Sequence, residues 1–127
     1  MSEATRPRVL LVDDDTRTAR LLAHMLREDG FEVELAWDGA TAIGRLSRSP
    51  LPDVLVTDLS MPYVDGMALT EFARARRPAL PIFIVTGRPN LMTRAGSNFD
   101  PPPVVITKPL DYARLYDELR RAVSGDE

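Results

Sequence analysis

The sequence predicts a doubly wound α/β domain, with a mostly parallel sheet covered by helices on both faces. Three observations carry that expectation. Five short strand-like runs alternate with segments of helical spacing along 127 residues, the pattern of successive βαβ units. Four of those runs are almost wholly apolar, as strands buried on both faces are. The same four stop abruptly at a polar residue followed by turn-forming residues, and open α/β sheets keep their chemistry at the carboxyl ends of strands.

Taken in order, residues 1–7 read as a loose N-terminus. Arg8 to Val12 is the first strand and ends in Asp13, Asp14 and Asp15. Thr16 to Asp29 carries Ala19, Leu22, Ala23 and Leu26 at helical spacing, with Asp15 or Thr16 as N-cap and Gly30 as the stop. Phe31 to Leu35 alternates strictly, which suits a half-exposed edge strand. Asp38-Gly39 turns into a helix from Ala40 to about Ser47, closed by Ser49-Pro-Leu-Pro52. Asp53 to Asp58 is the central buried strand, and Pro62 and Asp65-Gly66 mark the tight loop after it.

A helix from Gly66 to about Arg76 turns Leu69, Phe72 and Ala73 inward; Arg74, Arg76 and Arg77 read as its solvated end. Pro81 to Thr86 is a fourth strand, closed by a hydroxyl and Gly87. Between Arg88 and Pro103 the pattern is irregular: a short helix is expected over Asn90 to Ala95, and Asp100-Pro-Pro-Pro103 forbids one. Val104 to Thr107 is the fifth strand and runs into Lys108-Pro109. The last helix, Asp111 to Val123, buries Leu115, Leu119 and Ala122 before an acidic tail at 124–127. The domain is therefore bounded at 8–123, with neither an internal repeat nor a linker.

Composition narrows the function classes. The net charge of −3 offers no attraction for nucleic acid or an anionic membrane. There is no cysteine, which excludes disulfides and thiolate metal sites and fits a reducing cytoplasm. No apolar run approaches the ~20 residues of a membrane span. Fifteen arginines stand against a single lysine, Lys108. An ammonium is a point charge and a guanidinium a planar fork, so a site shaped for one seldom accepts the other.

In a parallel sheet the residues that close each strand gather at one rim. That rim would hold Asp13 and Asp14 from the first strand, Asp58 from the third, Thr86 from the fourth and Lys108 from the fifth. Closely packed carboxylates repel unless something neutralises them. A hard divalent ion such as Mg²⁺ does so and typically joins a phosphoryl oxygen. Lys108 adds a second positive charge, and Thr86 can donate its hydroxyl to an anionic oxygen. Asp58, alone at its strand end, is then the natural nucleophile, because carboxylates form acyl phosphates.

The residues Val12-Asp13-Asp14, Asp58-Leu-Ser-Met-Pro-Tyr-Val-Asp-Gly66, Thr86 and Lys108-Pro109 resemble the receiver domain of two-component response regulators over nearly the whole chain. The resemblance implies a flavodoxin-like five-stranded parallel sheet in order 2-1-3-4-5. It implies that Asp58 accepts phosphate from a histidine kinase or phosphotransfer protein. It further implies that Asp14 ligates Mg²⁺ directly, Asp13 largely through water, and Asp58 and the Ser60 carbonyl as well, with Thr86 and Lys108 on the phosphoryl oxygens. The Lys108–Pro109 bond is cis in that family. No DNA-binding segment follows, so output is expected through contact with a downstream protein effector, without nucleic acid or membrane.

The chain departs from the family at one place. Family members carry Gly-Ala and then an aromatic three residues before the lysine; here Asp-Pro-Pro-Pro-Val-Val stands there, with Val105 at the aromatic position. Val105 cannot follow the hydroxyl inward as the aromatic does, so a smaller or different motion is expected. Gly87 leaves the mouth of the site open. His24 is read as a surface or boundary residue, and Trp37 and Met61 as packing or loop residues. Tyr112 and Tyr116 could form part of an output face. Two alternatives stay open. One is a receiver-like interaction module that works without phosphorylation. The other is a haloacid-dehalogenase-like phosphatase, whose Asp-x-Asp-x-Thr motif needs Thr or Val where Arg17 stands and which normally has a cap domain.

Overall fold

The computed structural model describes residues 6–91 and 98–124. Its strands are β1 (Arg8–Val12), β2 (Glu32–Ala36), β3 (Val54–Asp58), β4 (Ile82–Thr86) and β5 (Val104–Thr107). They form one sheet of order β2-β1-β3-β4-β5, and every pairing is parallel. Helices α1 (Thr16–Glu28), α2 (Gly39–Leu46), α3 (Gly66–Arg76) and α4 (Tyr112–Ser124) connect and flank them, with a 3-10 turn at Pro89–Leu91. The expected helix over Asn90 to Ala95 is replaced by that turn as far as Leu91, and its remainder lies outside the described residues. The peptide bonds Ser49–Pro50, Asp100–Pro101 and Lys108–Pro109 are cis.

Side-chain alternation along the strands makes two cores, one on each side of the sheet. On one side Val9, Leu11, Val54, Val56, Phe83, Val85 and Ile106 meet Leu22 and Leu26 of α1 and Leu115 and Leu119 of α4. On the other, Leu10, Val12, Leu55, Ile82 and Ile84 meet Ala42 and Leu46 of α2 and Leu69 and Ala73 of α3. Phe72 and Ala122 are half-buried at the margins. β2 and β5 are the edges of the sheet. Along β2, Glu32 and Glu34 are exposed while Val33 and Ala36 are buried.

The helix starts follow capping chemistry. Asp15 caps α1, accepting from the Arg17 and Thr18 backbone N–H groups, Asp38 caps α2 at Thr41 and Asp65 caps α3 at Ala68. The stop after α1 is Gly30, whose φ of 101° suits a residue without Cβ.

Two expectations change. Arg74 is buried, not solvated: its Nε donates to the Leu80 carbonyl at 2.9 Å and its Nη1 to the Pro101 carbonyl at 2.6 Å. Burial lowers its pKa, partly opposed by the charge of Asp100. Arg76 and Arg77 are exposed, yet Arg76 donates to Leu46 and Arg77 to Pro52. Tyr112 and Tyr116 are half-buried against the α1/α4 core and do not stand clear as an output face. Tyr112 donates its hydroxyl to Asp29 Oδ2 at 2.7 Å, and burial, then that bond, raise its pKa. Tyr116 meets Phe31 edge-on, with the Arg120 guanidinium over both rings.

Candidate functional site

The parallel register brings the acids to one level. Val12 pairs with Thr57, so the next residues, Asp13 and Asp58, leave adjacent strands side by side. One carboxylate oxygen from each of Asp13, Asp14 and Asp58 lies within 4.8 Å of the others. Opposite ligands of an octahedral Mg²⁺ bound at about 2.1 Å stand about 4.2 Å apart, so small side-chain rotations suffice for the three to share one ion. Asp13 is half-buried and Asp14 exposed.

Lys108 Nζ stands 3.2 Å from Asp58 Oδ1, the lysine side chain being 43% exposed and the aspartate 11%. An ammonium so open to water adds little to stability, about 0.5 kcal/mol at most after screening. Its value is chemical: it places a positive charge beside a carboxylate that is itself largely enclosed. Lys108 N–H also donates to the Thr86 carbonyl at 2.8 Å, which fixes the lysine's backbone to β4. A cavity of about 170 Å³ opens beside this pair, between Thr18 and Leu22 of α1 and the Pro109-Leu110 turn.

Asp13 is held by the Asp15 N–H, which donates to its Oδ1 at 2.9 Å. Its pKa is nonetheless raised from 3.8, by burial first, with the charge of Asp58 adding to the rise. The neighbouring Asp15 goes the other way, its pKa lowered mainly by the Thr18 hydroxyl; it is a helix cap. Because the folded state binds the Asp13 proton more tightly than the unfolded chain does, stability falls as pH rises through the window above 3.8. Asp13→Asn is therefore expected to raise the urea midpoint of the metal-free protein at neutral pH. The gain should shrink as pH is lowered into the carboxylate range, and a pH-independent gain would point to a different cause.

Thr86 sits at the rim but turns differently. Asp13, Asp58 and Lys108 continue the alternation that faces α1 and α4, whereas Thr86 continues the Ile82–Ile84 side that faces α2 and α3. It is 2% exposed, and its hydroxyl oxygen accepts the Arg88 N–H at 2.9 Å. That bond uses an acceptor lone pair and leaves the hydroxyl proton to donate elsewhere. A Cβ on Gly87 would meet no atom within 4 Å, so the space beside Thr86 is open. Val105 is half-buried against the α2/α3 core, opposite Ile84.

Ser60 is exposed on the loop between β3 and α3. That loop is pinned at both ends: Leu59 N–H donates to Val85, and Gly66 N–H donates to the Leu59 carbonyl at 2.8 Å. A Cβ on Gly66 would lie 2.6 Å from the Asp58 carbonyl oxygen, so only glycine lets α3 start against the strand end. Within the loop Tyr63 has φ 67° and Val64 N–H donates to the Pro62 carbonyl at 2.8 Å, a γ-turn of the rare positive-φ kind. The Tyr63 side chain is fully exposed, so no packing offsets a backbone cost of about 1–2 kcal/mol. Tyr63→Gly is expected to stabilise by about 0.5–1 kcal/mol in a urea melt, the gain reduced by glycine's entropy; a loss would assign the side chain a contact of its own.

Sequence reasoning singled out Asp13, Asp14, Asp58, Ser60, Thr86 and Lys108, read Gly66 as a turn residue and helix start without its close approach to Asp58, and passed over the surroundings of Trp37. The signal for Gly66 was a glycine opening a helix, where most residues would serve. Trp37 is 36% exposed, lies under the Arg20 guanidinium, and shares a groove of about 380 Å³ with Asp14 and Tyr63. His24 is exposed and Met61 buried.

Residues 9–120 match the family described as the response regulator receiver domain. Response regulator MprA of Mycobacterium avium is 35% identical over 126 residues, covering 94% of this chain and 54% of that protein. Transcriptional regulatory protein TrcR of Mycobacterium tuberculosis is 34% identical over 113 residues, 89% of this chain and 44% of that one. The chain thus spans about half, or less, of the length of these relatives. A response regulator receiver protein from Sinorhizobium medicae superposes with TM-score 0.84 at 28% identity, over 96% of this chain and 98% of its own. The chemotaxis response regulator CheY4 of Vibrio cholerae gives 0.81 at 27% identity, over 93% and 99%. Among the described residues no helix is long and apolar enough to cross a membrane.

Proposed function

The chain belongs to the response regulator receiver family, and from that membership we propose that Asp58 takes a phosphoryl group from a phosphohistidine of a histidine kinase or phosphotransfer protein. The observation that carries the reading is the meeting of three carboxylate oxygens within 4.8 Å, with the lone lysine on Asp58. Asp13, Asp14, Asp58 and the Ser60 carbonyl would hold Mg²⁺. When bound, Mg²⁺ neutralises the carboxylates and polarises the phosphoryl group.

The chain's own groups do the rest. An Asp58 carboxylate oxygen attacks phosphorus as the bond to the donor's imidazole nitrogen breaks, and the electron pair leaves with the imidazole. The phosphoryl group passes in line through a loose transition state with its charge on the equatorial oxygens. Lys108 would take one of those oxygens and the Thr86 hydroxyl proton another. Later attack of water on phosphorus breaks its bond to Asp58 and returns the carboxylate and inorganic phosphate. The signal passes to a downstream protein through surface contacts.

With Mg²⁺ and acetyl phosphate the protein is expected to gain one phosphate per chain, labile to acid and to base as an acyl phosphate is, and chelator should prevent it; intact-mass spectrometry reads both. Continuous turnover of a phosphate ester would support a phosphatase instead. Val105 against the α2/α3 core, with Arg74 on Pro101, favours a second reading: a module whose partner contacts ignore the phosphate. Partner affinity equal with and without phosphodonor would select it.

A further inference from the structure

We propose that Gly39, on a helix that supplies no group to the acidic site, is a positioning residue for it. Gly39 would hold the strained loop that carries Ser60. The inference rests on the reading of that site as a Mg²⁺-assisted phosphoacceptor.

The loop needs an external support. Its ends are fixed at Leu59 and Gly66. Among the described residues, the backbone hydrogen bond within Ser60 to Val64 is the γ-turn's own, from Val64 N–H to Pro62. Tyr63 contributes no packing, being fully exposed at φ 67°. A backbone arrangement of that kind persists only where its surroundings over-determine it.

The missing support is the first residue of α2. Gly39 is buried, and a Cβ there would stand 2.5 Å from Val64 Cβ and 2.6 Å from Val64 Cγ1, and would press on the Val64 carbonyl oxygen. Two of these atoms belong to a β-branched side chain with little rotamer freedom and one to backbone, so the contact cannot yield by a side-chain flip. Asp38 fixes Gly39 in turn, accepting the Thr41 N–H at 2.7 Å as the cap of α2. Val64 thus seats in a notch that exists only because residue 39 has no side chain. Filling the notch must displace Val64, and with it the γ-turn and Ser60 four residues upstream. Gly44, on the same helix, is the internal control, because a Cβ there meets nothing within 4 Å.

The experiment compares wild type with Gly39→Ala, Val64→Gly and Gly44→Ala. Two readouts are taken: amide exchange of Val64 and Gly66 in the metal-free protein, and Mg²⁺ affinity from the emission of Trp37, which shares its groove with Asp14. Gly39→Ala and Val64→Gly are each expected to speed exchange and to weaken Mg²⁺ about tenfold, as loss of a group supporting a ligand does. Gly44→Ala should leave both at wild-type values. Wild-type exchange or wild-type affinity in folded Gly39→Ala overturns the proposal. If Gly39→Ala does not fold, Val64→Gly decides by the same criteria. A wild-type protein that binds no Mg²⁺ overturns the underlying reading and the positioning role with it.

Discussion

Asp58→Asn is expected to take up no phosphate from acetyl phosphate and Mg²⁺, while keeping its fold. An amide has no anionic oxygen to attack phosphorus, and among the described residues no other carboxylate is paired with Lys108. Asp13 and Asp14 share the rim, but Lys108 is paired with Asp58, at 3.2 Å. The loss should therefore be complete, not partial. Stability should hardly move, because the ion pair surrendered is half in water and worth about 0.5 kcal/mol at most. Removing one of three clustered acids also relieves repulsion in the metal-free state. Intact mass and a thermal melt on the same preparation separate the two effects. Undiminished labelling of the variant would remove Asp58 from its role. Lys108→Arg makes the finer point: a wider, planar cation is expected to leave labelling slower and to impair signalling more than labelling.

Arg74→Met should be a damaging change away from the site, at about 3 kcal/mol of unfolding free energy. The guanidinium joins three pieces of chain: α3, the Leu80 carbonyl before β4, and the Pro101 carbonyl before β5. Methionine keeps much of the apolar stem but leaves both carbonyls without that partner, each costing about 1–3 kcal/mol if still buried. Because Pro101 lies just ahead of β5, the damage should centre on β5 and reach Lys108 at its end. Urea unfolding measures the first effect, and the rate of phosphate uptake the second. A variant as stable as wild type would mean that water replaces the guanidinium at both carbonyls.

Much of this was legible in the chain because two periodicities alternate cleanly. Runs such as Val54–Asp58 and Ile82–Thr86 are apolar throughout, which only a strand covered on both faces tolerates. With every strand parallel, their ends had to share a rim, and Asp13, Asp14 and Asp58 do converge. What the pattern did not carry is which way each side chain leaves the rim. Thr86 is one step out of phase with Asp58 and Lys108, so it points to the α2/α3 side, a matter of register between strands. Arg74 was opaque for a similar reason. Next to Arg76 and Arg77 it looks like one of three charges at a helix end, and only Pro101, 27 residues on, gives it a reason to be buried. Tyr112 likewise looked free until Asp29, 83 residues earlier, closed on its hydroxyl.

The two borders of the sheet have a bearing on how this domain can associate. β5 is four residues long and lies between Pro101-Pro102-Pro103 and Pro109, residues that donate no backbone hydrogen bond. The opposite border, β2, puts Glu32 and Glu34 into solvent. Glu32 pairs with Arg8 and Glu34 with Arg45, and short length, flanking prolines and charged edge side chains are devices that discourage the docking of a foreign strand. Crowded copies of the domain should accordingly resist fibrillar stacking, and any lasting complex has to be built from helix surfaces and loops.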